Sequence, residues 1–281
     1  MAGVMQMICA WKQLISILPP DIARQVDSAG KETMQELRLR LNAPPEAVTG
    51  TGSIWMKGMV KKEDLDYIVN SASRYSPWCA GTMTHGYLTA PGGHRIGICG
   101  DAVFRGDTPG SFHRITSLCI RVARDYPGVA DRIIDTWKSI LIVGAPGWGK
   151  TTLLRDLARK IANDRIVCVV DEREELFPEG IQRGKRMDVL HGFSKPWGMD
   201  MVLRAMGPDY IAVDEITAET DCIGLIQAAN CGVRLLATAH GLGLQDLRQR
   251  TLYQPLLEKK IFHSIVLLSR DKSYRVERVV S

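Results

Sequence analysis

Apolar positions follow two different rhythms along the 281-residue chain, and the change falls near residue 139. Before it the patterns are short and mixed. In "MQELRLRL", Leu37, Leu39 and Leu41 alternate with charges, which predicts a half-buried strand stopped by "NAPP". In "KKEDLDYIVNSASRY", Leu65, Ile68, Val69 and Ala72 recur at helical spacing behind an acidic first turn. "HGYLTAPGGHRIGICG" predicts two strands about a Pro-Gly-Gly turn, and "ITSLCIRVAR" another strand. "DYPGVADRIIDTW" reads as a connection into a short helix, and Leu14, Ile17 and Leu18 mark a packed helix near the start.

From residue 139 short unbroken apolar runs, "SILIV", "RIVCVV", "YIAVD" and "RLLAT", alternate with helical stretches. Buried parallel strands with crossover helices produce that pattern. "HSIVLLS" and "YRVERVV" around "RDKS" predict a closing antiparallel hairpin. The expected architecture is a smaller α+β domain over 1–135, then an α/β domain with a mainly parallel sheet over 136–281.

Composition narrows the class. With 45% hydrophobic and 24% charged residues the chain is globular and not disordered. A net charge of +5 permits an anionic partner without demanding one. The seven cysteines form no CxxC pair, and those inside apolar runs, such as Cys168, read as small buried hydrophobes in a reducing compartment. The longest apolar stretch falls short of the ~18 residues that cross a bilayer. With no basic leader at the N-terminus, the expected location is the cytoplasm, with a peripheral place at the inner face of a membrane left open.

The chemistry starts at "ILIVGAPGWGKTTLLRDLARKIAND". Its "GAPGWGKT" fits G-x-x-x-x-G-K-[ST] between an expected strand and an expected helix, the context that motif requires. Gly144, Ala145, Pro146, Gly147, Trp148 and Gly149 would wrap the backbone around a polyphosphate, with N–H groups and the helix N-terminus aimed at its oxygens. Lys150 would neutralise the β/γ-phosphates, the Thr151 hydroxyl would hold Mg²⁺, and Thr152 completes the contact set. Leu153, Leu154, Leu157, Ala158 and Ile161 form the buried stripe of the helix behind.

"PDYIAVDEI" is an apolar run ending in Asp214 and Glu215. Alone, such a pair reads as a helix cap or an ion pair. Together with the P-loop, Asp214 reads as a Mg²⁺ partner and Glu215 as the group that orients or deprotonates water, provided its strand lies beside the P-loop strand. "VVDEREEL" adds Asp171, Glu172, Glu174 and Glu175, with Glu172 a further metal candidate, and "LLATAHG" adds Thr238 and His240. His240 is placed to sense a γ-phosphate; a satisfied structural histidine is the alternative.

These residues resemble the ATPases of type II and type IV secretion systems, of the RecA-like P-loop class. The resemblance is carried by the P-loop, Leu203-Arg204, Pro208-Asp209, Glu215-Ile216, Glu219-Thr220, Ala228-Ala229, Gly232 and Thr238 to His240, in the family's order. Asp171 to Glu175 stand where the family has an acidic box. "GGHRIGICG", "IRVAR" and "RMDVL" look closer still to a branch of that family in spore-forming bacteria. Thr217-Ala218 and Val233 depart from the wider pattern, which has Arg-Asp and His there.

The resemblance implies a RecA-like Mg²⁺-dependent ATPase that assembles with itself as a hexameric ring. It would act with cytosolic parts of the membrane proteins of a sporulation channel between mother cell and forespore. It also implies that the N-terminal domain lends arginines to a nucleotide, with Arg95, Arg121 and Arg124 as candidates and ordinary strand-edge pairing as the alternative. Two other readings stay open. Arg183, Lys185, Arg186 and Lys195, with Phe193 and Trp197, form a basic loop that a single-strand nucleic-acid motor would use. A slow nucleotide-binding switch is the other.

Overall fold

The computed structural model describes residues 7–73, 83, 86–105, 108–133 and 138–278. The chain divides into two compact units: Met7–Asp125 with Pro178–Ile181, and Tyr126–Phe177 with Gln182–Ser281. The division thus falls after Asp125 and not at residue 135, and a short piece of the later half belongs to the earlier unit.

The N-terminal unit is built on an antiparallel sheet. Its strands are β1 (Met34–Arg40), β2 (Glu46–Thr49), β3 (Gly52–Trp55), β4 (Tyr87–Ala90), β5 (His94–Arg105) and β6 (Thr108–Arg121), in the order β3-β2-β1-β6-β5-β4. Alternation works as the sequence pattern predicts: Leu37 and Leu39 are fully buried while Arg38 and Arg40 take the other face. The buried side shares one core with α1 (Trp11–Ser16), α2 (Pro20–Ala29) and α3 (Lys62–Ser73), through Leu14, Ile22, Val26, Leu65 and Ile68. Pro20 opens α2, where its missing N–H costs no helix hydrogen bond. The β2–β3 hairpin was not read from the sequence.

The second unit holds a sheet in the order β13-β12-β7-β11-β10-β8-β9. Its strands are β7 (Ile140–Gly144), β8 (Val167–Asp171), β9 (Met187–His191), β10 (Tyr210–Val213), β11 (Arg234–His240), β12 (Ser264–Leu268) and β13 (Tyr274–Arg278). All neighbours are parallel except β12 and β13, the expected hairpin. β7, β8 and β10 are buried at every position, which is why they read as continuous apolar runs and not as alternations. Burial also pushes the thiols of Cys168 and Cys222 up to about 11, leaving them inert.

After β7 the chain enters α4 (Lys150–Ile161), whose expected stripe from Leu153 to Ile161 is buried. α5 (Lys195–Ala205) precedes β10, and α6 (Glu219–Asn230) joins β10 to β11. Asp156 on α4 explains the early domain boundary. Its carboxylate accepts the backbone N–H groups of Gly128 and Ala130 at 3.0 and 2.9 Å, tying the connector to this unit. Residues 127–133 of that connection form turns, and the rest of the short helix expected there falls on 134–137, outside the described residues.

Candidate active site

β7 ends at Gly144, and the loop from Gly144 to Gly149 turns the chain into α4. Gly147 (φ 76°) and Gly149 (φ 98°) take left-handed backbone that a side chain would strain. Gly144 is needed for a different reason, since a Cβ there would come 3.0 Å from that of Leu268. Lys150 then opens the helix, 7% exposed, with Nζ 3.2 Å from the Ala145 carbonyl oxygen and 3.1 Å from Nδ1 of His240. Burial pushes its ammonium below the ordinary lysine value, while the charges of Asp214 and Glu215 oppose the shift.

The strand bearing Asp214 does not neighbour β7, contrary to the adjacency the sequence reading required. β11 is inserted between them, with His240 opposite Gly144 and Ala237 opposite Val213. The two ends are nevertheless brought together across β11. The Thr151 hydroxyl donates to Asp214 Oδ2 at 2.8 Å, and the fully buried Thr238 hydroxyl donates to Asp214 Oδ1 at 2.6 Å. Thr238 is a strut as well, because its oxygen accepts the Glu215 N–H at 2.8 Å. That bond, with a second from the same N–H to Asp214 Oδ1 at 3.0 Å, holds Glu215 at φ 37°, a strained position for a residue with a side chain.

Glu215 Oε1 lies 2.6 Å from His240 Nε2, and Oε2 lies 3.7 Å from an Arg173 nitrogen. An ammonium can only donate, so Lys150 donates to Nδ1 of His240. The imidazole proton is then on Nε2 and faces Glu215. One histidine therefore joins the P-loop lysine to the carboxylate expected to activate water.

The acidic box divides into parts. Asp171, 2% exposed, accepts the backbone N–H groups of Glu175, Leu176 and Phe177 at 2.9, 3.0 and 2.8 Å and so anchors its loop. Burial raises its carboxyl above the usual range, against the pull of those N–H groups. Arg155 of α4 holds the same loop through the Glu175 and Leu176 carbonyls. Glu172 does not stand free for a metal: its carboxylate takes the Lys195 ammonium at 2.8 Å, and Lys195 also lies 3.6 Å from Asp221. Asp221 in turn accepts the N–H groups of Thr217 and Ala218 and so caps α6.

Lys195 is 6% exposed and is thereby withdrawn from the basic loop considered for nucleic acid. Arg183 faces His191, and Arg186 donates to the Asp164 carbonyl. Arg204 lies on the exposed side of α5, paired to Asp200. Arg173 and Lys195 were missed as site residues. Arg173 directly follows the acidic pair of "VVDER", but nothing in the pattern marks the carboxylate it meets.

The arginines expected from the N-terminal domain sit on its sheet. Arg95 and Arg121 are paired across the β5–β6 ladder. Arg95 lies over the Tyr87 ring, 4.1 Å from its centroid, and Arg121 is 3.6 Å from Glu36 with its side chain 68% exposed. Arg124 is a structural residue, donating to the backbone carbonyls of Lys31 and Met34.

Two units of this kind, an antiparallel N-terminal sheet and a mainly parallel second sheet with a P-loop, define the fold of the type II and type IV secretion ATPases. The Legionella pneumophila ATPase DotB matches with a TM-score of 0.60 at 17% identity, over 93% of this chain and 80% of that one. The pilus retraction motor PilT, solved with bound ADP, matches with a TM-score of 0.64 at 14% identity, over 93% and 83%. The chain belongs to the sporulation stage III protein AA family, whose pattern covers residues 11–279. Stage III sporulation protein AA of Bacillus subtilis (strain 168) is 31% identical over 280 residues, 92% of this chain and 91% of its own. Among the described residues no helix is long and apolar enough to cross a membrane.

Proposed function

We propose that the protein is a RecA-like, Mg²⁺-dependent ATP hydrolase that works as a hexameric ring and energises or gates a channel between mother cell and forespore. The observation that carries this reading is the convergence of Lys150, Thr151, Asp214, Glu215 and His240 at the C-terminal ends of β7, β10 and β11, where open parallel sheets place ligands.

The chemistry follows from the parts. The N–H groups of the Gly144–Gly149 loop and the N-terminus of α4 would bind the triphosphate, with Lys150 neutralising its β/γ-oxygens. The Thr151 hydroxyl and the Asp214 carboxylate, already within 2.8 Å of each other, are a hard-oxygen pair suited to Mg²⁺. When bound, that ion would offset charge on the transferring phosphoryl group. Glu172, paired with Lys195, is left out of this set. Glu215 would orient and deprotonate the attacking water.

His240 contacts both Lys150 and Glu215. A triphosphate drawing Lys150 onto its oxygens would free His240 to respond, which makes the histidine the sensor of the bound state. Arg95 and Arg121 of a neighbouring copy would supply the cation that stabilises the transition state. Membrane proteins of the channel would be the partners of the ring.

Hydrolysis of ATP by the purified protein with Mg²⁺, measured beside its mass with and without a nonhydrolysable ATP analogue, tests the reading. Turnover with a ring-sized mass is expected. Absence of nucleotide uptake by calorimetry removes the reading.

A further inference from the structure

Lys195 is the first residue of α5, and its place runs against two preferences at once. A cation in the first turn meets the positive end of the helix dipole, and α5 has no acidic residue there to offset it. The residue is also buried, which an unpaired charge resists. What holds the ammonium lies outside its own helix: Glu172 Oε2 at 2.8 Å and Asp221 Oδ2 at 3.6 Å. Breaks of local preference of this kind are expected at functional positions.

The neighbours of Lys195 are carboxylates gathered on one small space. Asp171, Glu172, Asp214 and Glu215 share the wall of a cavity of about 20 Å³ with Lys195 and Arg173. That volume admits about one water-sized occupant. Asp171 spends its oxygens on three backbone N–H groups, and Glu215 faces His240. The partner of Glu172 is Lys195. Several carboxylates around a space of ionic size are what a hard divalent cation binds. An ammonium is a compact point charge with three donors, and it can stand in for such an ion.

We propose that Lys195 is a positioning residue that engages Glu172 and thereby confines the divalent metal to the Thr151–Asp214 pair, so that the centre takes one ion and not two. This rests on the Mg²⁺ reading above and adds what sets the number of ions. Among the described residues no group of three His, Cys, Asp or Glu side chains is arranged to hold a metal ion, in keeping with a carboxylate withdrawn onto lysine. Asp221 makes the withdrawal firm. The oxygen that it turns to Lys195 also accepts the N–H groups of Thr217 and Ala218, just past Glu215 in the chain. The ammonium is thus tied through Asp221 to fixed backbone.

The test counts Mn²⁺ on the full chain by the loss of the free-ion signal in electron paramagnetic resonance, without nucleotide and then with a nonhydrolysable ATP analogue. Lys195→Met keeps the length of the side chain and removes its charge. It is expected to bind one Mn²⁺ more than the wild type, with a dissociation constant of about 10⁻⁴ to 10⁻³ M. Lys195→Arg, which keeps the charge, should restore the wild-type count. Lys195→Met combined with Glu172→Gln should lose the added ion, a result that a merely structural lysine does not give.

An unchanged count in folded Lys195→Met protein overturns the proposal, and so does an added ion that survives Glu172→Gln. Should Lys195→Met fail to fold, Glu172→Gln alone decides. It leaves the count with the analogue at the wild-type value if Lys195 withholds Glu172, and lowers it if Glu172 is already a ligand. The count without nucleotide stands whether or not the analogue binds, so failure of the triphosphate reading is seen separately, as absence of analogue uptake.

Discussion

Glu215 and His240 are joined by a contact of 2.6 Å between Oε1 and Nε2, while the other face of the same imidazole holds Lys150. The carboxylate expected to activate water and the lysine expected to hold the triphosphate are thus two bonds apart through one ring. Under the proposed function such a bridge would report whether Lys150 is engaged.

Glu215→Gln keeps the shape of the side chain and removes its basicity. Turnover is expected to fall by about 10² to 10⁴, the usual contribution of a positioned base, while ATP binding is retained and the nucleotide is trapped. Single-turnover hydrolysis beside equilibrium binding separates the two effects. A slow switch would show little change in either.

Thr238→Val tests the buried strut. The substitution strips a hydroxyl that serves Asp214 Oδ1 and the Glu215 N–H together. Leaving those groups short of partners costs about 1–3 kcal/mol, so a lower urea midpoint is expected, along with a higher Mg²⁺ requirement for hydrolysis. Unaltered Mg²⁺ dependence would separate the strut from the metal site.

Arg121→Ala addresses sharing between copies. Loss of about 10³-fold in rate is expected if its guanidinium stabilises the transferring phosphoryl group. Mixing Arg121→Ala protomers with Lys150→Ala protomers should then restore part of the activity, because each lacks what the other supplies. A mixture no more active than its components counts against action in trans, and leaves Arg121 to its pairing with Glu36.

His94 sets a pH limit on the N-terminal unit. It is fully buried, with Nδ1 accepting the Ala123 N–H at 3.1 Å and Nε2 facing the Ala10 carbonyl at 3.0 Å. Burial first, and then the nearby Arg124 charge, lowers its pKa from 6.5, while the Ala10 carbonyl opposes. The unfolded chain therefore takes up a proton at a higher pH than the folded one. Stability is full above about pH 6.5 and declines as pH drops through the interval below it. Thermal unfolding between pH 7.5 and 5 should show that decline, and His94→Gln should flatten it.

What could be read from residue order was whatever is encoded locally. β7, the glycine turn and α4 are one continuous signal, and Asp214-Glu215 closes an apolar run, so these were legible. The insertion of β11 between β7 and β10 was not, because strand order depends on which helix crosses where and leaves no mark in either strand. Glu172 looked like a metal ligand because its partner Lys195 is far along the chain and resembles any surface lysine. β9 escaped because "MDVLH" is only partly buried at a sheet edge and lacks the unbroken apolar run of its neighbours. Tyr126 and Tyr274 lie far apart in the chain and come to line one cavity beside Lys150 only in the folded unit.

Pro178–Ile181, which lies between β8 and β9 in the chain, belongs to the N-terminal unit. There Gly180 lies close to Gly92, and a side chain at Gly93 would collide with Pro178. Within the described residues the polypeptide consequently passes from one unit to the other three times, and no single cut there releases either half intact. A fragment starting at Tyr126 would carry a four-residue tip stripped of its packing surface, held at its base by Asp171 and Arg155. Dissection by truncation will therefore mislead, and circularly permuted or loop-shortened versions are the sounder route to isolated halves.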